Sequence, residues 1–189
     1  MKLKQLSPLL FGIILLASSC NDDDQEFGFN ISKEENVDIP VVYETVDVAN
    51  AADFNPPPVT EELRLDEIDE FANGLEDLNE LGTIVVNSMA YEIIGVESGE
   101  VTLLDALEIT TMAGSEEIEL VSLTSGALAN TGRTDIVLTP AQLAALQEEL
   151  LGSGNDLSVF VNIDFAAVPT ETIDVVVRVY FDLTLKIRE

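Results

Sequence analysis

Histidine and tryptophan are absent from this chain, cysteine occurs once, at Cys20, and only 8 Lys and Arg stand against 36 Asp and Glu. Without His or a second thiol, Ser-His-Asp and Cys-His nucleophilic arrangements cannot be built, and neither can His-based zinc sites. No disulfide can form within the chain, so stability must come from packing. With no Trp and three Tyr, there is little of the aromatic surface on which carbohydrate-binding modules stack sugar rings. The net charge of −28 repels nucleic acid and anionic membrane surfaces through the field of the whole molecule. Such a charge keeps a protein soluble and monomeric, or gives it a diffuse affinity for divalent cations.

Hydrophobic residues make up 47% of the chain, too many for a disordered polymer, and 189 residues suit one domain with tails. Motifs that carry chemistry are missing. Two carboxylates can run a glycosidase, but among so many acids some pair falls at a suitable separation by chance. No Asp-x-Asp-x-Asp-Gly calcium loop occurs. Gly95, Gly99, Gly152 and Gly154 stand in turn contexts rather than phosphate loops. The expectation is a non-catalytic protein with no cofactor and no metal site.

The N-terminus has a pattern of its own. Lys2 and Lys4 precede an apolar run, Leu9 to Leu16, too short to span a bilayer as a finished helix. Small residues Ala17, Ser18 and Ser19 follow, then Cys20. This resembles a lipobox, with Ala17 where Leu is usual and Leu16 one step back. The resemblance implies cleavage between Ser19 and Cys20, acylation of the Cys20 thiol, and anchoring to a lipid bilayer. The bland rival is an ordinary secretory peptide with a stray cysteine. The run Asn21, Asp22, Asp23, Asp24, Gln25, Glu26 resembles the surface-export signal of Bacteroidota lipoproteins, which implies an outer-membrane, outward-facing location; its alternative is a solvated acidic tether. Removing residues 1–19 leaves Lys33, Arg64, Arg133, Arg178, Lys186 and Arg188 as the only bases.

Beyond the anchor, Phe27, Phe29 and Ile31 alternate with polar residues, as a first strand, a docking arm or a tether would. Ile39, Val41 and Tyr43 predict a strand with Pro40 near an exposed edge, ended by Asn55-Pro56-Pro57-Pro58. Ile68, Phe71, Leu75 and Leu78 recur at helical spacing, with Asp66 as N-cap and Gly82 as stop. Segments 83–96, 101–112 and 117–124 read as three strands joined by tight connections. Thr139-Pro140-Ala141-Gln142 predicts a capping box opening a helix whose apolar stripe is Leu143, Leu146, Leu150 and Leu151, stopped by Gly152.

The last two strands, 159–165 and 173–187, are apolar at every odd position, which only a half-buried antiparallel sheet explains. They predict a hairpin with Phe165 opposite Val175, Asn162 opposite Arg178 and Phe160 opposite Tyr180, in preference to one facing Asp164 with Asp174. The final strand, roughly 50 Å if straight at about 3.3 Å per residue, predicts a strong twist or a bulge.

The expected architecture is therefore mainly β: an antiparallel β-sandwich, immunoglobulin-like, with one or two short helices. Its parts are a signal peptide (1–19), a lipidated Cys and acidic tether (20–36) and one domain (37–189). This order of elements, including LDEIDEF leading to VNSMAYEI between Leu65 and Ile94, resembles the small uncharacterised β-sandwich lipoproteins of the Bacteroidota. That resemblance implies a fold and a location without an assigned chemistry. Arg178, Lys186 and Arg188 share the outer face of the last strand. They either pair with acids on neighbouring strands or form a cationic stripe for a carboxylate ligand or a partner's edge. The expected role is an accessory module for an outer-membrane protein partner, with glycan binding in a nutrient-uptake system as the alternative.

Overall fold

The computed structural model describes residues 28–44, 56–68, 71, 82–97, 103–152 and 156–188. Cys20, Ser19, Asn21, Asp22, Asp23 and Asp24 lie outside these residues, as does most of the helix expected between Ile68 and Leu78.

Among the described residues eight strands follow one another: β1 (Gly28–Tyr43), β2 (Val59–Arg64), β3 (Gly82–Ile94), β4 (Leu103–Ala113), β5 (Glu116–Ala127), β6 (Thr134–Ile136), β7 (Asp156–Phe165) and β8 (Ile173–Arg188). They form two antiparallel four-stranded sheets, β1-β8-β3-β6 and β2-β7-β4-β5. Consecutive strands change sheet at every connection except the β4–β5 hairpin. A mainly β, antiparallel sandwich is thus what the chain forms, and this strand order is that of a double-sheet jelly roll rather than the expected immunoglobulin-like one.

The strict alternation of the last two strands produces their burial but not their pairing. Ile173, Val175, Val177, Val179, Phe181, Leu183 and Leu185 on β8 are buried, as are Leu157, Val159, Val161, Ile163 and Phe165 on β7. These rows belong to opposite sheets and share one core. The expected hairpin is therefore wrong. Phe165 pairs with Leu104 and Val175 with Val41, while Asp164 opposes Ala106 and Asp174 opposes Val42. Period two specifies which face is buried and carries no information on which strand lies alongside. A sandwich needs two inner faces, and these two strands supply one each.

The expected irregularity sits in the neighbour of β8. Between Val86, opposite Leu183, and Ser88, opposite Asp182, β3 carries one extra residue, Asn87. Burial accordingly moves from even positions (Ile84, Val86) to odd ones (Met89, Tyr91, Ile93). Leu120 is the extra residue in β5, between Glu119, opposite Thr110, and Val121, opposite Ile109, and the buried positions pass there from Ile118 and Leu120 to Val121. In β4 the register against β7 slips between Leu104 and Ala106, at Asp105.

Among the described residues one complete α-helix, α1 (Pro140–Leu150), closes a side of the sandwich. Its capping box forms as expected: the Gln142 N–H donates to Thr139 Oγ1 at 3.3 Å and the Thr139 N–H to Gln142 Oε1 at 2.9 Å. Leu146 and Leu150 are fully buried, whereas Leu151 is exposed at the C-cap instead of completing the stripe. A Cβ on Gly152 would come within 2.8 Å of the Glu149 carbonyl oxygen, so the stop requires glycine. Gln147 Oε1 accepts the Val86 N–H at 3.1 Å and Glu149 Oε2 the Gly114 N–H, which ties α1 to both sheets.

Two short strands escaped the hydrophobic pattern. β2 buries only Leu63 and half-buries Val59; its TEELR composition suits a helix, and pairing with β7 overrides that propensity. β6 has three residues. Asp66 is not an N-cap: the turn at Leu65–Glu67 is 3-10, begins at Arg64 with no side-chain cap, and the Asp66 carboxylate accepts from Arg64 Nη2 at 3.1 Å. Gly82, expected to stop a helix, opens β3. The alternation at Phe29 and Ile31 belongs to a strand, since β1 begins at Gly28, inside the segment expected to be tether.

Candidate functional site

β1 lies at the edge of its sheet, with Pro40 exposed as its position requires, and β8 runs between β1 and β3. Strand alternation sends the even residues of β8 to the outer face, and register places Arg178 between Asp38 on β1 and Glu92 on β3. Its guanidinium donates from Nε and Nη2 (2.7 Å) to the two Asp38 oxygens and reaches Glu92 Oε1 at 3.4 Å from Nη1. Tyr180 Oη donates to the same Glu92 oxygen. Arg133, just before β6, lies 4.3 Å above the Tyr180 ring and holds Glu34 through a two-pronged bond, Nη1 to Oε1 at 2.9 Å and Nη2 to Oε2. Glu34, Arg133, Tyr180, Glu92, Arg178 and Asp38 thus form one network across the sheet.

Hydrogen bonds from Arg178 hold the Asp38 carboxyl below the usual carboxylate range, and those from Arg133 do the same for Glu34. In return Asp38 raises Arg178 further above its already high value, and Glu34 raises Arg133. Farther along β8, Asn87 of the β3 bulge donates to Thr184 Oγ1 at 2.8 Å and to Asp182 Oδ1 at 3.2 Å, and Ser32 meets Thr184 at 2.8 Å.

The three expected cationic residues therefore separate. Arg178 takes the structural alternative, pairing with acids on both neighbours. Lys186 is exposed near the end of β8, opposite Asn30 and Thr83, with no ion pair among the described residues. Arg188 pairs through its backbone with Gly28. The contact of Arg133 with Tyr180 was not anticipated, because it joins a loop to a strand far away in sequence. At the opposite end of the sheet, where β3 turns at Gly95 (φ 90°), a cleft of about 640 Å³ lies between Ile94, Val96, Leu128 and Ile173, with Glu97, Glu171 and Asp174 at its rim.

The other sheet presents a different outer face. Glu108, Thr110 and Met112 of β4 point outward, with Phe160 of β7 opposite Thr110 and Asn162 opposite Glu108. On the β5 side Glu117 opposes Met112 and Glu119 opposes Thr110. A groove of about 270 Å³ lies over Thr110, bounded by Phe160, Met112 and Pro58 with Glu108, Glu117 and Asn162. Phe160 and Tyr180, expected side by side, are on opposite sides of the molecule. The hydroxyl that ties β4 to β7 is internal: Thr111, fully buried, donates from Oγ1 to the Ser158 carbonyl at 2.6 Å. Buried Tyr43 meets Phe165 edge to face at 5.7 Å, and burial pushes its phenol pKa up. Among the described residues no group of three acidic side chains converges to hold a metal ion, and no helix is long and apolar enough to cross a membrane.

No protein-family model matches this chain, and no curated protein sequence does. Similar solved structures include a mud crab tombus-like virus (9% identity, TM-score 0.40, covering 100% of this chain and 94% of that one). Others are Desmodium yellow mottle tymovirus (10%, 0.37, 100% and 95%) and the BFDV capsid protein (12%, 0.39, 87% and 95%). The jelly-roll order of the present chain stands on its own strand pairings.

Proposed function

We propose that this protein is a non-catalytic accessory module of the cell envelope, anchored to the outer membrane through acylated Cys20, facing outward and engaging a protein partner. The observation that carries this reading is the position of the chain's one cysteine, directly after an apolar run and small residues and directly before Asp22-Asp23-Asp24. Burying acyl chains contributes about 0.8 kcal/mol per CH₂, so several chains give a lasting anchor. Residues 21–27 separate Cys20 from the start of β1 and span at most about 25 Å when fully extended. On this reading the Gly28 end of β1, beside Arg188 and Gly82, stays close to the bilayer, and the cleft beyond Tyr43 and Ile173 points away from it.

Replacing Cys20→Ala is expected to move the protein from the membrane fraction to the soluble fraction, and mass spectrometry of the mature N-terminus is expected to find acyl chains on Cys20. An unmodified mature terminus overturns the reading. The glycan-binding alternative draws on the volume of the end cleft, which lies within the usual range of ligand sites. Retention of the protein on a polysaccharide column would favour it.

A further inference from the structure

The two outer faces differ in how their acids are matched. On the first sheet Glu34, Asp38 and Glu92 each meet a guanidinium. Around Thr110 on the second, Glu108, Glu117 and Glu119 have no cationic partner among the described residues. The base on that sheet's strands, Arg64, is taken by Asp66 and Glu67. Next to these carboxylates lies an apolar floor made by the half-buried Phe160 and Met112.

An aromatic face beside carboxylates attracts an organic cation that carries some apolar surface. The molecule satisfies this arrangement internally on its other face, where Arg133 lies over Tyr180 and is held by Glu34. In the groove the ring and the carboxylates are present, and the cation has to come from outside. A second copy is a poor source, because two chains of net charge −28 repel. Apart from Pro58 the groove is lined by strand residues, so the geometry is largely set before anything binds.

We propose that the groove between β4 and β7 receives a Lys or Arg side chain from a basic segment of a protein partner. This rests on the partner-binding reading above and gives that partner a sign of charge and a place to dock.

The test uses the full-length protein in neutral detergent and a fluorescein-labelled peptide, Gly-Gly-Lys-Gly-Lys-Gly-Gly, read by fluorescence anisotropy. Phe160→Leu, which keeps the floor apolar but removes the ring, and the pair Glu108→Gln/Glu117→Gln are each expected to weaken binding at least tenfold. The pair Glu61→Gln/Glu148→Gln, which removes the same charge from exposed positions outside the groove, is expected to change it less than twofold. Acetylating the peptide's lysines is expected to abolish binding. Equal loss in both double variants overturns the proposal in favour of diffuse attraction, as does unchanged binding in Phe160→Leu. Binding of a neutral oligosaccharide that depends on Phe160, with no lysine dependence, overturns it in favour of a glycan. A photo-reactive residue placed in turn at 160 and 186 in intact cells separates the two levels. Crosslinks to a basic protein from 160 support the groove, crosslinks from 186 alone overturn it while sparing the partner reading, and none from either overturns both.

Discussion

The two sheets share one core but are finished differently on the outside. The β1-β8-β3-β6 sheet is bound across its outer face by side chains, from Ser32, Thr184 and Asn87 at one end to Asp38, Arg178 and Glu92 farther along. The β2-β7-β4-β5 sheet has its tie on the inside, at Thr111, and leaves an aromatic ring and several carboxylates facing water. A chain this poor in bases cannot neutralise both faces, and it places Arg133 and Arg178 on one of them. The lesson is that scarcity is informative: where few cations exist, the acids left without one mark the surface available to others.

The inner faces should respond alike. Phe181→Ala in β8 and Leu107→Ala in β4 each empty a fully buried position, and each is expected to cost about 3–5 kcal/mol in urea unfolding. A loss from one sheet only would break the symmetry of the core. Next in size, Thr111→Val keeps the shape but strands the Ser158 carbonyl, with an expected cost of about 1–2 kcal/mol. Arg178→Met should lower the urea midpoint by less, and more at low salt than at high, because Asp38 and Glu92 then face each other across β8 without their cation.

The pH dependence follows from the depressed carboxyls of Asp38 and Glu34. Their folded-state pKa values lie below the unfolded ones, so their contribution is complete above the ordinary carboxylate range and disappears as pH falls through the folded values. Asp38→Asn/Glu34→Gln should therefore flatten the loss of stability between about pH 5 and pH 2 relative to wild type; a parallel profile would remove these pairs from the account. The smallest effect belongs to the other face, where Glu108→Gln/Glu117→Gln should leave stability at neutral pH within about 0.5 kcal/mol.

Much of the sandwich could be read from residue order because burial follows parity. Ile39, Val41 and Tyr43, the odd rows of β7 and β8, and the Thr139–Gln142 box all behave as their spacing requires. What could not be read was adjacency. The two most regular strands look like hairpin partners, yet they face each other from opposite sheets. In β3, burial changes parity at Asn87, a signal present in the sequence as Ile84 and Val86 giving way to Met89, Tyr91 and Ile93. β2 was hidden because one buried leucine makes no pattern. Of the candidate residues, Arg178 sits on the face expected of it, while its attachment to Asp38 and Glu92 depended on β8 lying between β1 and β3.

That central position of β8 also governs assembly. β1 and β3 are both paired to it, so until β8 is in place β1 has no neighbour in its sheet and β3 has only the three-residue β6. Ser32 and Thr184, in hydrogen-bond contact, are 152 positions apart. Such closures are slow, because a long loop must be ordered before any contact rewards it. β8 is the keystone of its sheet, and that sheet stays pliable until it is in place.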